Sequence, residues 1–219
     1  MNDSQSVTGS QSRLARGLDP DKQRRFMDIA RRRFVADGYA RTSISAIVRE
    51  AGVAQGTFYL YFKSKEQLLG HLRREVLIDY LDALKAGSAG EGAADTRLLA
   101  GLDAIHDRVQ HHRDLVRVFR QAATGEESEV QVIQGRRSLA RPLAALIRDG
   151  QDDGSFSVDD AELSAHFVIS LLANLFYEAL TYDEPAGPAL VTLHASRFLL
   201  RALGAQLDRI DALVPLRAE

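Results

Sequence analysis

At 219 residues, with 45% hydrophobic and 26% charged, the chain is typical of a soluble globular protein, and its lack of cysteine excludes disulfides, thiol catalysis and thiolate metal sites. The net charge of −2 divides unevenly: residues 1–65 carry 12 Lys and Arg against 6 Asp and Glu, a balance of +6, whereas residues 66–219 carry 16 against 24, a balance of −8. We expect either a basic, DNA-facing end on an acidic body or a chance distribution of solvated charges.

The first 18 residues are rich in Ser, Gln and Gly and show no hydrophobic run. They are predicted to form a mobile tail rather than a secretory signal. The longest apolar stretch, residues 167–180, is interrupted by Ser170, Asn174 and Glu178, which makes it too short and too polar to span a membrane. We therefore expect a cytoplasmic protein with no membrane partner.

Helix signals begin at residue 19. Asp19 and Pro20 suit the N-cap and the first position of a helix, and Gly38 suits its end. Ser64 stands three residues before Gln67, the spacing of a capping box at the start of a long helix. Further helices are predicted over about 44–50, 55–61, 65–85, 95–111, 113–123, 127–150, 158–182 and 188–205. No segment alternates with period two, so the fold class is all-α.

Residues 42–69 hold the pattern of a helix-turn-helix. Gly52 stands between two short helices, where the turn needs a residue that tolerates positive φ, and Ser43 is the N-cap candidate of the first. Apolar residues suitably spaced to lock the pair are Ile44, Ile47, Ala51, Val53 and Phe58. Small or polar residues that suit entry into a major groove occupy the rest of the second helix: Gln55, Gly56, Thr57 and Tyr59.

The run over residues 24–69 resembles the N-terminal domain of the TetR family of transcriptional repressors, including F-Y-L-Y-F at 58–62 and the K-S-K-E-Q-L-L that follows. The resemblance implies a three-helix DNA-binding domain over 19–65 and a larger helical domain over 66–219 that binds a ligand and dimerises. It also implies a sequence-specific regulator of transcription, a repressor that a small molecule releases from a near-palindromic operator on double-stranded DNA.

The resemblance further implies which side chains meet DNA. Gln55, Gly56, Thr57 and Tyr59 would face bases or adjacent phosphates, and Thr42, Tyr61 and Lys65 would touch the DNA backbone. Elementary chemistry agrees, because an amide such as that of Gln55 can pair bidentately with adenine and Lys65 adds charge near a helix N-terminus. The predicted DNA-binding residues are Thr42, Ser43, Gln55, Gly56, Thr57, Tyr59, Tyr61 and Lys65.

The last two predicted helices are the candidates for a homodimer interface. Their apolar residues spread over more than one face, which indicates burial by both a core and a partner, or by the core of a monomer alone. A two-fold dimer would place its two DNA-binding helices about 34–36 Å apart, on successive turns of the operator.

Polar residues among apolar helices are the candidates for ligand binding. Asn174 is the clearest, although it could equally bond a neighbouring backbone or its symmetry mate. The low content of polar residues around it suggests a small, largely apolar effector. The ligand-binding candidates are His106, Arg117, Arg120, Gln121, Asn174, Tyr177 and Glu178.

Four other interpretations compete with these. The run 111–113 (His-His-Arg) is expected to be a solvated helix end, so neither a metal nor a cofactor is predicted. The Arg run 31–33 is expected to be a solvated helix face rather than a phosphate-binding patch. No catalytic motif is present, so an all-α enzyme is disfavoured. The last alternative is an adaptor whose helix-turn-helix binds protein. A DNA binder would differ from it because its affinity for DNA falls steeply as the salt concentration rises.

Overall fold

The computed structural model describes residues 18–122, 126–181 and 187–215, and within these ranges the chain is helical and contains no strand. This confirms the all-α prediction. Residues 1–17 of the predicted tail lie outside the described residues. In chain order the helices are α1 (Pro20–Asp37), α2 (Ile44–Ala51), α3 (Gln55–Tyr61), α4 (Lys65–Gly87), α5 (Ala94–His111), α6 (Arg113–Gln121), α7 (Glu126–Asp152), α8 (Ala161–Thr181), α9 (Gly187–Ala202) and α10 (Leu207–Leu213).

The chain divides into two compact units, and the first contains the residues up to Leu72. Its first helix begins as predicted, because the Asp19 carboxylate accepts a hydrogen bond from the Asp21 backbone N–H at 3.0 Å and Pro20 occupies the first turn. The helix α1 packs against α2, and α2 against α3. Fully buried side chains at the centre of this unit are Phe26, Phe34, Ile47, Phe58, Phe62 and Leu68.

The start of α4 differs in one detail from the predicted capping box. The Ser64 hydroxyl accepts the Gln67 backbone N–H at 3.2 Å, as expected. The Gln67 side-chain oxygen, however, accepts from the backbone N–H of Lys63 rather than that of Ser64. One more backbone donor ahead of the helix is thereby satisfied.

The second unit contains the residues from Arg73 onward. The helices α7 and α8 make the most extensive contact, and α5, α6 and α9 pack against this pair. Its core is largely aliphatic, with Leu98, Leu143, Ile147, Ala165, Leu199 and Leu200 almost fully buried. Among the described residues, no helix is both long enough and apolar enough to cross a membrane.

Helix boundaries in this unit differ from prediction near its C-terminal end. The helix α8 begins at Ala161 rather than 158, because the Asp160 carboxylate accepts the Leu163 backbone N–H at 3.0 Å and caps it. The helix α9 ends at Ala202, short of 205, since Gly204 adopts a φ of 76°. The helix α10 was not predicted at all. It is held to α5 by hydrogen bonds from Arg209 to the buried carboxylate of Asp95.

Candidate functional site

The turn between α2 and α3 is built on Gly52. Its φ of 67° and ψ of 33° lie in the left-handed region, where a residue with a Cβ is strained. The backbone N–H of Val53 then reaches the Val48 carbonyl at 3.2 Å, which closes the end of α2. The predicted role of Gly52 as the turn residue is therefore confirmed.

An aromatic cluster fixes α3 against α1. The rings of Phe26 and Phe58 meet edge to face at 5.5 Å between centroids, and Phe58 lies 5.5 Å from Phe62. Ile47 and Ala51 of α2 are buried beside α3. Because all of these apolar side chains point inward, the orientation of α3 leaves its polar residues on the other side.

The outer side of α3 is exposed along most of its length. Gln55 and Gly56 lie in solvent, Tyr59 is 50% exposed, and Thr57 and Tyr61 are half-buried. Leu60 is 61% exposed although it is apolar, and it stands one helical turn after Gly56. Leu60 was not among the predicted DNA-binding residues. Its i, i+4 spacing from Gly56 was the sequence signal that could have placed it on the same side of α3. We call Gln55, Gly56, Thr57, Tyr59 and Leu60 the outer face of α3.

Neither the backbone conformation nor the packing of the described residues requires glycine at position 56. Gly56 lies inside α3 with an ordinary helical conformation, and no described atom other than its chain neighbours and the backbone of its own helix lies within 4 Å of the position that a Cβ would occupy. Glycine inside a helix destabilises it relative to alanine. The packing of the described residues therefore gives no reason for glycine at this position.

Thr42 and Lys65 were predicted to touch the DNA backbone, and both make internal hydrogen bonds. Thr42 is 2% exposed and its hydroxyl donates to the Gly38 carbonyl at 2.9 Å. The Lys65 ammonium group donates to the carbonyls of Tyr39 and Thr42 at 2.8 and 2.9 Å and lies over the Tyr39 ring. These bonds join the start of α4 to the segment between α1 and α2.

Ser43 also has an internal partner. Its hydroxyl accepts the Ala46 backbone N–H at 3.1 Å, which is the predicted N-cap of α2. Its side chain is exposed next to the buried Thr42. A binding partner could therefore reach the side chain of Ser43 but not that of Thr42.

One carboxylate, that of Glu50, pairs with two arginines of the run at 31–33. Glu50 accepts hydrogen bonds from Arg32 at 3.0 Å and from Arg33 at 2.6 Å, which ties α1 to α2. The hydrogen bond from Arg32 is the main cause that lowers the pKa of Glu50. Arg32 is largely exposed, in keeping with the expected solvated face, but this face is ion-paired rather than only hydrated.

The ligand-binding candidates of the larger unit occupy different environments. His106 and Arg117 are half-buried, whereas Arg120 and Gln121 are exposed. Asn174 was expected to be embedded among apolar groups. It is exposed in the single chain, because it lies on the solvent-facing side of α8. The side chains of Tyr177 and Glu178 lie outside the described residues.

The expectation for the His-His-Arg run is half wrong. His111 is exposed, but His112 is buried at the junction of α5 and α6, and its Nε2 lies 2.8 Å from a carboxylate oxygen of Asp79. The partner comes from α4 and is distant in sequence, so the local pattern could not reveal it. In the part of the chain that the structure describes, no group of three His, Asp or Glu side chains could hold a metal ion.

Comparison with known proteins shows similarity over both units. A family model described as bacterial regulatory proteins, tetR family, matches residues 26–72, and one described as the tetracyclin repressor-like C-terminal domain matches residues 91–177. The uncharacterized HTH-type transcriptional regulator YhgD of Bacillus subtilis is 26% identical over 189 residues, which is 84% of this chain and 98% of that protein.

Two further proteins extend this similarity. The HTH-type transcriptional repressor KstR2 of Mycolicibacterium smegmatis is 23% identical over 182 residues, 81% of this chain and 87% of that protein. The crystal structure of the transcriptional regulator FadR from Bacillus subtilis in complex with stearoyl-CoA matches with a TM-score of 0.66 at 22% identity, over 82% of this chain and 96% of that chain.

Proposed function

The chain belongs to the tetR family of bacterial regulatory proteins, and from this premise we propose that it is a transcriptional repressor that leaves its operator when a small, largely apolar molecule binds. Membership makes it a DNA-binding regulator of transcription. Repression is supported by KstR2, which is similar over most of its length and is named a repressor. The relatives reported above are named as regulators, so we propose no catalytic activity and a site of action in the cytoplasm, where the DNA lies.

The observation that carries the DNA-binding surface is the exposed outer face of α3, with a glycine at its centre. Gln55 offers an amide that can pair bidentately with adenine, and Thr57 can contact a thymine methyl group or a phosphate. The bare backbone at Gly56 allows close approach to the DNA, and the Tyr59 phenol can donate to a phosphate oxygen. Tyr61 and Ser43 are proposed as outlying phosphate contacts.

Thr42 and Lys65 enter this proposal in a different role. Because the Thr42 side chain is buried and two Lys65 donors already serve backbone carbonyls, we propose that both position the start of α4. Their contribution to DNA binding would then be indirect, through the rigidity of the helix-turn-helix.

Apolar side chains on α8 and α9 support a homodimer. Leu163 and Phe167 stand one turn apart on α8, and they are 50% and 64% exposed; Phe198 on α9 is 59% exposed. Large exposed apolar side chains on neighbouring helices mark surfaces that bind another protein. Asn174 is exposed on α8 as well, which favours the interpretation that it meets its symmetry mate. A two-fold dimer would bind a near-palindromic operator.

The release mechanism would be a shift between two populations. An effector that binds more tightly to the form with low operator affinity weakens DNA binding by that difference in affinity and by nothing else. The larger unit is the proposed place of binding. Support comes from the similarly folded FadR, whose structure contains stearoyl-CoA, a molecule with a long apolar chain.

The proposal is tested by selecting bound sequences from random DNA and measuring gel-shift affinity for the selected operator. A double variant, Gln55→Ala with Thr57→Ala, should lose about 30-fold or more, because a good base contact is worth about 1–3 kcal/mol and a dimer makes each contact twice. The oligomeric state should not change.

The matched control is Gln134→Ala with Ser138→Ala, which removes an amide and a hydroxyl from exposed positions on α7. It should bind the operator as the wild type does. Undiminished sequence-specific affinity in the Gln55/Thr57 variant would count against the proposed surface. Affinity that does not fall as salt concentration rises would favour the protein-binding adaptor instead.

A further inference from the structure

The larger unit contains a buried hydroxyl group without a partner. Tyr80 lies on α4, and within the described residues its phenol oxygen is shielded from solvent and has no hydrogen-bond partner. Buried polar atoms in folded proteins are nearly always hydrogen-bonded, and an unsatisfied one is unfavourable. A hydroxyl in this position therefore indicates that a bound molecule or a water supplies the missing partner.

The residues one turn before and after Tyr80 on its side of α4 are apolar. Val76, Ala83 and Leu84 stand on the same side of α4, at the i−4, i+3 and i+4 positions, and all three are buried. The ring of His112 lies close by, with its centroid 6.1 Å from that of Tyr80. Sites for small molecules combine apolar walls with a few fixed polar groups, and this region has that composition.

Asp79 fixes the polar part of this region. Its carboxylate lies 2.8 Å from His112 Nε2 and 3.6 Å from the Arg108 guanidinium. Asp79 lies on a different helix from His112 and holds its ring in one orientation. The surroundings of the neighbouring Tyr80 therefore stay constant. In the described structure His112 does not satisfy the Tyr80 hydroxyl, and its ring is held in place by Asp79.

The protonation of Tyr80 determines what it can bind. Burial, with the negative charge of Asp79 as the second cause, raises the pKa of the Tyr80 phenol far above its usual value. The group stays a neutral hydroxyl at physiological pH and can donate a hydrogen bond. An anionic partner is disfavoured here, because burying a charge that lacks an opposite charge is costly.

We propose that the Tyr80 hydroxyl donates the hydrogen bond that recognises the effector, an apolar molecule that carries an uncharged oxygen acceptor such as a ketone, ester or amide carbonyl. The inference rests on the proposed function, because it presumes that an effector binds in the larger unit. It adds the chemical class of that effector and names the side chain that recognises its oxygen.

The first test is the thermal stability of the full chain without added ligand. Replacing Tyr80→Phe removes only the hydroxyl, so the melting temperature should stay unchanged or rise. The control Tyr39→Phe removes a hydroxyl that donates to Glu66 at 2.9 Å. A fall of about 2–4 °C for Tyr80→Phe, the shift expected for one lost hydrogen bond in a chain of this size, would mean that a permanent partner such as water is present and would overturn the proposal.

The second test compares probes that differ by one oxygen: 2-octanone with octane, and acetophenone with ethylbenzene. Binding is followed by displacement of an apolar fluorescent dye. The wild type should bind the better-fitting ketone about 5- to 10-fold more tightly than the matching hydrocarbon, the factor that one net hydrogen bond supplies. In Tyr80→Phe this preference should vanish while affinity for the hydrocarbon is kept. Octanoate should bind more weakly than 2-octanone.

The outcomes separate this inference from the function on which it rests. Equal binding of ketone and hydrocarbon by the wild type, or a preference that survives in Tyr80→Phe, would overturn the role of Tyr80 and leave an apolar effector site in place. Binding of no probe would also remove the support for an effector site in this unit. The gel shift with the selected operator tests DNA binding independently of either result.

Discussion

Gly52 and Gly56 stand four residues apart in the helix-turn-helix, and the backbone uses them differently. Gly52 has a positive φ of 67°, so the chain itself requires it. Gly56 is helical, and no described atom would obstruct a Cβ there. The fold therefore gives no reason for glycine at position 56, which is why we propose that DNA approaches the backbone there.

The variant Gly56→Ala should separate stability from binding. The free energy of unfolding should rise by about 0.5–1 kcal/mol, because alanine favours a helix over glycine. Operator affinity should fall, because the new methyl group occupies the space where the DNA approaches. Chemical denaturation and gel-shift titration of the same preparation measure both quantities.

The control for this variant is Gly52→Ala. It should lower stability, since a residue with a Cβ is strained in the left-handed region. If Gly56→Ala were more stable and bound the operator unchanged, Gly56 would not lie at the DNA surface.

Some residues have internal partners that the sequence did not reveal. Position and residue type drew attention to Thr42 and Lys65, yet their hydrogen bonds run to Gly38, Tyr39 and Thr42. His112 was expected in solvent, and its partner Asp79 is 33 positions away in the chain. A local pattern shows which side chains can form bonds, but only the folded chain shows which groups come within reach.

At the level of whole helices, local signals sufficed where a helix is defined by its own caps. Asp19, Ser43 and Gly52 each make the cap that the sequence predicts, and the helix limits there agree within a residue or so. The helix α10 lacks such signals: Gln206 precedes it without a side-chain cap. It depends on the bond from Arg209 to Asp95, 114 positions away, and for that reason it was not predicted.

The pair of Asp95 and Arg209 should make the larger unit sensitive to acid. Asp95 has a 2% exposed side chain, and hydrogen bonds from the Arg209 guanidinium at 2.7 and 3.0 Å lower the pKa of its carboxyl. A lowered pKa in the folded state stabilises the protein above the unfolded pKa, near 3.9, and this stabilisation is lost as pH falls through the folded value. Asp95→Asn should therefore cost about 1–3 kcal/mol at neutral pH and progressively less below about pH 4.

The matched control for this prediction is Asp149→Asn. Asp149 pairs with Arg97 at 3.1 Å but is 52% exposed, and exposed ion pairs contribute about 0–1 kcal/mol. Unfolding curves recorded between pH 3 and 7 compare the two variants with the wild type. A difference between Asp95→Asn and wild type that stays the same at every pH would show that the ionised carboxylate does not supply the stability.

At the scale of the whole molecule, 46 residues of motif were enough to predict the family and the class of function. The sequence over 24–69 combines a turn glycine, apolar residues that lock two short helices and a polar second helix in one short window, so the pattern is specific. The larger unit has no such compact motif. Its helices could be predicted from their apolar period, but the Asp79, Tyr80 and His112 group arises from three-dimensional packing.

The proposed dimer gives a prediction at this scale. Phe167→Glu places a charge at a position that is 64% exposed in the single chain, so folding should be preserved. Self-association should weaken by roughly 30-fold or more, as expected when a central aromatic contact is lost. Sedimentation velocity measures the association, and circular dichroism confirms the fold.

A comparable substitution outside this face serves as the control. Leu207 on α10 is 63% exposed, and Leu207→Glu should leave the dimer and its operator affinity unchanged. A Phe167→Glu protein that sediments as the wild-type dimer would exclude this face of α8 from the interface.

The double pairing of Glu50 with Arg32 and Arg33 changes how the charge of the DNA-binding unit should be counted. Two of its cations already face a carboxylate of their own chain. Fewer positive groups are then free to displace the counterions condensed on a phosphate backbone than the 12 Lys and Arg of residues 1–65 suggest. Less of the operator affinity would come from that ion release and more from contacts with the bases, so the complex would discriminate between sequences better than its composition implies.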